Sequence, residues 1–183
     1  MAAGLYRYLR GRRIDVLAIA AELGLGRATI YRWFGSREGL VGEVLIQAGD
    51  PLLDDARRQA SGSGASALLE TFDRMNRGLV AAPALRQFIE QERDALRIIT
   101  SSAGVVQPHF VARITALIED EVRAGAYEPL VEPATLGYAI VRLAEAFIYN
   151  DAAAGVRGDV DRLREVEAAL LGVRRRRGQT RGA

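Results

Sequence analysis

The stretch from Asp15 to Phe34, DVLAIAAELGLGRATIYRWF, constrains the fold more than any other part of the chain. It reads as two short helices joined by a tight turn. Asp15 stands where its carboxylate can accept the orphan backbone N–H groups of a helix start. Val16, Ile19, Ala20 and Leu23 then recur at helical spacing. Gly24 falls where that helix must stop, at a position that favours a left-handed backbone. Leu25 can drop beneath the turn. A second helix begins at Arg27, with Ala28, Ile30 and Phe34 able to face inward. That leaves Arg27, Thr29, Tyr31, Arg32 and Trp33 at or near the outer surface. Such a face offers donors for phosphate and guanine and a methyl for thymine, which a helix in a major groove requires.

The longer string AAELGLGRATIYRWFGSREGL resembles the DNA-binding domain of the TetR/AcrR family of bacterial transcription regulators. The match runs from Leu9 to Leu45: a small pair and Gly in the first motif helix, Thr-x-Tyr in the second, then Phe-Gly-Ser-Arg-Glu opening a long helix. Bare helix-turn-helix patterns give many false positives, and this extended version gives few. The resemblance implies a three-helix reading head on a helical effector-binding and dimerisation body, an operator of double-stranded DNA, and a long helix joining head to body. Two departures stand out. Gly26 replaces the Ser or Thr that more often caps the reading helix, so a phosphate would have to supply that cap. The first helix, Ala2 to Arg10, is also shorter than usual. Either the true start lies upstream or the head is less well braced.

Charge distribution agrees with a head that docks on a polyanion. The formal net charge is only +2, and all 25 basic residues are Arg. Residues 1–37 carry seven Arg against Asp15 and Glu22, and residues 172–183 carry five Arg and no acid. The rest of the chain is therefore acidic. A basic head on an acidic body fits nucleic-acid docking. Arg27, Thr29, Tyr31, Arg32, Trp33 and Arg37 are the candidate DNA contacts. Arg27 and Thr29 suit base edges or adjacent phosphates; Tyr31, Arg32 and Arg37 suit phosphate; Trp33 suits sugar or a bracing role. Arg12 and Arg13 are placed for phosphate as well.

Downstream, every segment with a pattern is helical, so the fold class is all-α. In Ala2 to Arg10, Leu5 and Leu9 are expected to face the head. Ser36 can cap a third motif helix from Arg37 to about Ala48. Pro51 either starts a new segment or kinks this helix. Helices are expected at Ala65–Leu79, Ala84–Ile99 with a bend, Pro108–Ala124, Pro133–Ala154 and Val160–Leu171. The SGSG loop, Ser61 to Gly64, separates two of them. In Pro108–Ala124, Val122 is expected among the buried residues. Pro133–Ala154 is apolar all round and so must be covered all round. A second copy of the chain is the expected cover, pairing the last two helices into a four-helix homodimer interface. Val160, Leu163, Val166, Leu170 and Leu171 form the stripe of the last helix. The resulting division is 1–48 for the helix-turn-helix domain, 49–171 for the effector and dimerisation domain, and 172–183 for a basic tail read as disordered.

Within the apolar helix, Arg142 and Glu145 are the only charges between Thr135 and Asn150. They form either a structural ion pair or the polar anchors of a cavity whose walls include Phe72, Met75, Phe88, Phe110, Ile114 and Tyr138. Tyr149 and Asn150 suit polar lining or interface. LGYAIVRLAEAFIYNDAAAG is also similar to the QsdR-like branch of the family. That resemblance implies a small hydrophobic or lactone-like effector. Catalysis finds no support. The chain has no Cys and no Lys, its one His is His109, and no Gly-x-Ser-x-Gly elbow occurs. Glu119, Asp120 and Glu121 are consecutive and fan around a helix, so no metal site is expected, and no cofactor. No run is apolar and long enough to span a bilayer, and no signal peptide opens the chain, so the expected location is cytoplasmic. The competing reading is a helical DNA-binding dimer with no small-molecule effector, controlled by a protein partner or by abundance.

Overall fold

Capping chemistry sets the head. Asp15 Oδ1 accepts the Leu17 N–H at 2.7 Å and the Ala18 N–H at 3.1 Å, starting α2 (Val16–Glu22) after α1 (Ala2–Leu9). These bonds hold its carboxyl below the usual range. Gly24 turns the chain at φ +63° into α3 (Arg27–Phe34). Ser36 Oγ accepts the Gly39 N–H at 2.9 Å and opens α4 (Arg37–Gln59). The computed structural model describes residues 2–149 and 159–173, all-α among those residues, with ten helices and no strand. The others are α5 (Gly64–Ala81), α6 (Pro83–Gln91), α7 (Ala95–Thr100), α8 (Val106–Arg123), α9 (Pro133–Tyr149) and α10 (Val160–Leu170).

Several expected faces are rotated. On α1 the inward line is Gly4 and Tyr8, while Leu9 is 61% exposed. The cause is close approach: a Cβ at Gly4 would lie 2.7 Å from Val44 Cγ2. Leu23, Ala28, Leu96 and Val122 also lie outward. Leu23 has passed the end of its helix and become the C-cap. The expected helix from Ala84 to Ile99 is two helices, broken where Glu92 turns extended. The expected continuation of α9 to Ala154, the loop around Gly155 and Gly158, and the tail beyond Val173 lie outside the described residues.

Pro51 neither ends α4 nor begins a separate segment; it sits inside one 23-residue helix. Proline removes one backbone donor and crowds the preceding turn, at a cost of about 3 kcal/mol in an ordinary helix interior. Packing on both sides offsets that cost. Leu40, Val41, Val44, Leu45 and Ile46 are buried in a core shared with α1–α3, α6 and α7. Leu53 and Ala56 are buried in a second core with α5, α8, α9 and Leu171. Beside the proline, Asp50 Oδ1 meets His109 Nε2 at 2.8 Å and Arg113 Nη1 at 3.1 Å, and Arg113 also bonds Asp54. This clasp fastens α4 to α8. Next to Asp50, Gly49 lets the helices touch, since a Cβ there would come within 2.6 Å of Phe110 Cζ.

A second clasp fastens α4 at its other end. The Arg37 guanidinium pairs with Glu92 at the α6–α7 break, so this residue, expected to contact phosphate, is engaged inside the protein. The Glu92 side chain is only 7% exposed and that of Arg37 26%. Arg37→Ala leaves a buried carboxylate without its cation, a loss discounted by the partial exposure of the pair to about 2 kcal/mol. The expected outcome is a lower urea midpoint at neutral pH, with Arg37→Ala and Glu92→Gln non-additive in a double-mutant cycle. Additive effects on stability would show that the pairing is not formed in solution.

Candidate functional site

The first candidate surface is α3. Its short apolar side buries Ile30 and leans Phe34 on the head core, which fixes the helix against α2 and α4. Arg27, Arg32 and Trp33 are exposed on the opposite side; Thr29 and Tyr31 are half-buried along its edge. Arg27 and Tyr31, one turn apart, hold each other. The guanidinium lies 5.1 Å from the ring centroid and donates to the phenol oxygen at 3.1 Å. That contact presets both donors before any ligand arrives. Gly26 supplies no capping oxygen, so the first N–H groups of α3 are available to an anion. Arg12 and Arg13 are also exposed, on the turn between α1 and α2. Arg37, at the start of α4, is paired with Glu92 and is only partly exposed.

The second candidate is a cavity of about 400 Å³ between the two cores. It is the size of sites that hold small organic molecules. Its walls come from both ends of the chain: Tyr8 and Leu9 of α1, Leu45 and Leu52 of α4, Leu85 of α6, Ile140 and Ile148 of α9, and Glu167 of α10. Of the expected wall residues, Phe72, Met75, Phe110, Ile114 and Glu145 are brought together there. Phe88, Tyr138 and Arg142 are not. Phe88 packs under the head, its ring 6.3 Å from that of Tyr8. Tyr138 is 49% exposed on the outer side of α9. The Arg142 guanidinium stays outside the lining. It donates to Glu145 Oε2 at 2.8 Å and to the Thr100 carbonyl at 3.2 Å, tying α9 to the end of α7.

Polar groups are few and each has a definable state. Gln107 Nε2 donates to both Glu145 oxygens, at 3.0 and 3.1 Å, and to the Thr100 carbonyl at 2.8 Å. Burial pushes the Glu145 carboxyl up, and Gln107 and Arg142 oppose the shift. The Tyr8 phenol is pushed up to about 12 by burial, and that of Tyr149, also in the lining, is raised by the same cause. Glu167 has no exposed surface. Its Oε1 accepts from Asn76 Nδ2 at 3.0 Å, while Oε2 has no hydrogen-bond partner. Burial raises this carboxyl to about 7; Asp73 pushes the same way, and Asn76 and Arg164 oppose.

Tyr8, Asn76, Gln107 and Glu167 were not expected in the lining. For Glu167 and Asn76 a signal was present. Leu163, Glu167 and Leu171 are spaced four apart, so an apolar stripe puts an acid at its centre. Asn76 likewise continues the line of Phe72. Gln107 carried no signal, because Gln-Pro reads as a loop and α8 in fact begins before it.

The sequence matches two family models. Residues 63–172 match one described as tetracyclin repressor-like, C-terminal domain, and residues 12–44 match one described as bacterial regulatory proteins, tetR family. No curated protein matches the chain. Among solved structures, the R. erythropolis transcriptional repressor QsdR, from the TetR family, superposes with a TM-score of 0.86 at 28% identity, over 96% of this chain and 94% of its own. A TetR family transcriptional regulator from Thermus thermophilus, PfmR, gives a TM-score of 0.47 at 21% identity, over 88% and 90%.

The buried Glu167 makes stability depend on pH with a definite sign. Its folded pKa lies above the unfolded value, so the folded state binds the extra proton. The chain is therefore most stable, as far as this group is concerned, below the unfolded pKa of about 4.3, and loses stability as pH rises to about 7. The difference approaches about 3 kcal/mol when both states are ionised. Glu167→Gln removes this dependence. Urea unfolding of the two proteins from pH 5 to pH 8 should show the variant gaining on the parent as pH rises; parallel curves would place the carboxyl in water.

Proposed function

The chain belongs to the TetR family of bacterial DNA-binding transcriptional regulators, which are not enzymes, and from that premise we propose that it is a homodimeric repressor released from its operator by a small apolar molecule in the cavity. The observation that carries this reading is the wall of the cavity. Head helix α1 and shared helix α4 form one side, and α9 and α10 of the body another. An occupant therefore touches the part that reads DNA and the part that pairs subunits. A solid core would favour control by abundance or a protein partner, and a cavity of about 400 Å³ weighs against that alternative.

In this reading residues 1–48 act as the head, 49–171 as the body and 172–183 as a basic tail. The 48/49 boundary falls within α4, so head and body share a helix. Thr29 and Arg27 meet base edges or adjacent phosphates, Tyr31 and Arg32 meet phosphate, and Trp33 packs on sugar. Two heads in successive major grooves stand about 34 Å apart on a near-palindromic site. The effector is a small hydrophobic molecule. An occupied cavity favours a head position that no longer matches the groove spacing. A hundred-fold loss of DNA affinity would need a coupling of about 3 kcal/mol, acting equally on effector affinity.

The dimer uses α9 and α10. Tyr138, Arg142 and Ala146 are exposed along α9, and Val166 and Leu170 along α10. The expected α10 stripe thus divides: Leu163 and Leu171 face the body, while Val166 and Leu170 face out.

Gel-shift assays on the upstream region of the protein's own gene test the first part. Arg32→Ala should weaken binding across sequences and lower the salt slope by about 1, with an unchanged melting curve. Unaltered affinity and salt dependence would remove Arg32 from the phosphate contacts. For the second part, Leu170→Arg sets a charge into each side of the proposed interface. Light scattering after size-exclusion chromatography should then find a monomer where the parent is a dimer. A dimer that survives Leu170→Arg and Val166→Arg together places the interface elsewhere.

A further inference from the structure

The cavity's wall is chemically one-sided. None of the described residues that line it is Arg or His, and its ionisable members are Glu145, Glu167 and the phenols of Tyr8 and Tyr149. A carboxylate or phosphate entering it would meet two acids and no cation. The two acids are also not equivalent. Glu145 is already answered, with Gln107 on both oxygens and Arg142 on one. Glu167 is answered on one side only, by Asn76.

Among the described residues, Arg164 acts on Glu167 by charge alone, and it and Arg77 are engaged with other acids. Arg77 bonds Asp73 at 3.0 Å and Asp161 at 2.5 Å, and Arg164 lies 3.6 Å from Asp73. These pairs fasten α10 to α5 on the outside and leave Glu167 Oε2 without a donor within. A buried carboxylate oxygen with no partner is costly, and such a site is completed when a ligand brings the donor.

Taking the cavity as the effector site, we propose that its occupant is a lipophilic amine bearing at least one N–H, anchored on Glu167 Oε2. The apolar walls, among them Phe72, Met75, Phe110 and Ile140, take the hydrocarbon part. Oε2 borders the cavity with almost no surface open to a water-sized atom, so a donor nitrogen reaches it as the wall yields by a fraction of an atom's width, and a nitrogen shielded by methyls would need far more room. An ammonium N–H satisfies this geometry; a quaternary ammonium, which has no N–H, does not. A lactone offers only acceptors and so answers Oε2 only while Glu167 keeps its proton, whereas an ammonium favours the ionised carboxylate and answers it above neutral pH. Because Glu167 stands on α10, the amine also ties the effector to the helix proposed to pair the subunits.

Calorimetric titration of the full-length protein at pH 8, where Glu167 is mostly ionised, with compounds carrying an apolar chain of seven or eight carbons tests this: octylamine, octyltrimethylammonium, octanoate, octanol and γ-dodecalactone. Octylamine should bind at least about ten-fold more tightly than the others, a difference of about 1.4 kcal/mol. Glu167→Gln, which keeps the acceptor for Asn76, should abolish that preference and leave octanol within about three-fold of its parent affinity. Octanoate or the lactone binding as tightly as the amine, or an amine preference that survives Glu167→Gln, overturns the assignment and leaves the effector cavity standing. Binding of none of the five overturns the cavity as an effector site, and this inference with it. The comparison among compounds on the parent protein stands by itself if the variant does not fold.

Discussion

The structure depends on α4 running unbroken through Pro51. Its first half is buried with the DNA-reading helices and its second half with the body helices. Without that continuity the two cores would be joined only through residues such as Leu79 of α5 and Phe110 of α8, which pack against both. A continuous helix makes a rotation at one end a rotation at the other. The energy that keeps it continuous is local: Asp50 held by His109 and Arg113, and Gly49 admitting the Phe110 ring. Each of those contacts comes from α8, so the proline is tolerated because another helix lies against it. This is tertiary packing overriding a local preference, a common outcome for weak propensities and a demanding one for proline.

What was legible in the sequence follows from that distinction. Asp15, Gly24 and Ser36 act on their own backbone, within a few residues, and their roles were readable without any knowledge of the fold. The all-α class was equally readable, because apolar spacing is a local property. Pro51 was ambiguous because its fate depends on α8. The Arg37–Glu92 pairing was not readable because an arginine at a helix start has two equally good partners, a phosphate outside or a carboxylate inside, and Glu92 lies 55 positions away in the chain. Phe88 and Phe110 look alike as helix-stripe aromatics. Only the packing puts one against Tyr8 and the other in the cavity wall. Tyr138 shows the opposite error, since a helix apolar all round does not say which side a single chain leaves uncovered.

Electrostatics divides the molecule in a way composition hints at but does not place. The exposed arginines of α3 and of the α1–α2 turn carry the positive head. In the body, arginines mostly answer acids: Arg57 with Glu121, Arg74 with Glu70, Arg77 with Asp73 and Asp161, and Arg113 with Asp50 and Asp54. Exposed pairs of this kind contribute little each. Their larger consequence is that cations are kept from the interior. The cavity is then left with acids facing hydrocarbon, an arrangement that costs stability and is retained only where something else offsets it.

The two clasps on α4 also say how an occupied cavity could move the head. Arg37–Glu92 fixes the start of α4 to the α6–α7 break, and Asp50 with His109 and Arg113 fixes its middle to α8. The cavity residues Leu45, Ala48, Gly49 and Leu52 lie between or just beyond these two points. Pressure on that segment cannot shift α4 alone without breaking a clasp. It can shift α4 together with α6, because Pro83, Ala84 and Leu85 also line the cavity and α6 ends at Glu92. In the proposed release the moving unit would be α6, the Arg37 end of α4 and the helices packed on it, turning against an α8 that the second clasp holds. A head moved this way would travel as a rigid piece, with the Arg27–Tyr31 contact intact. The occupant would alter where the reading surface stands and not what it is made of.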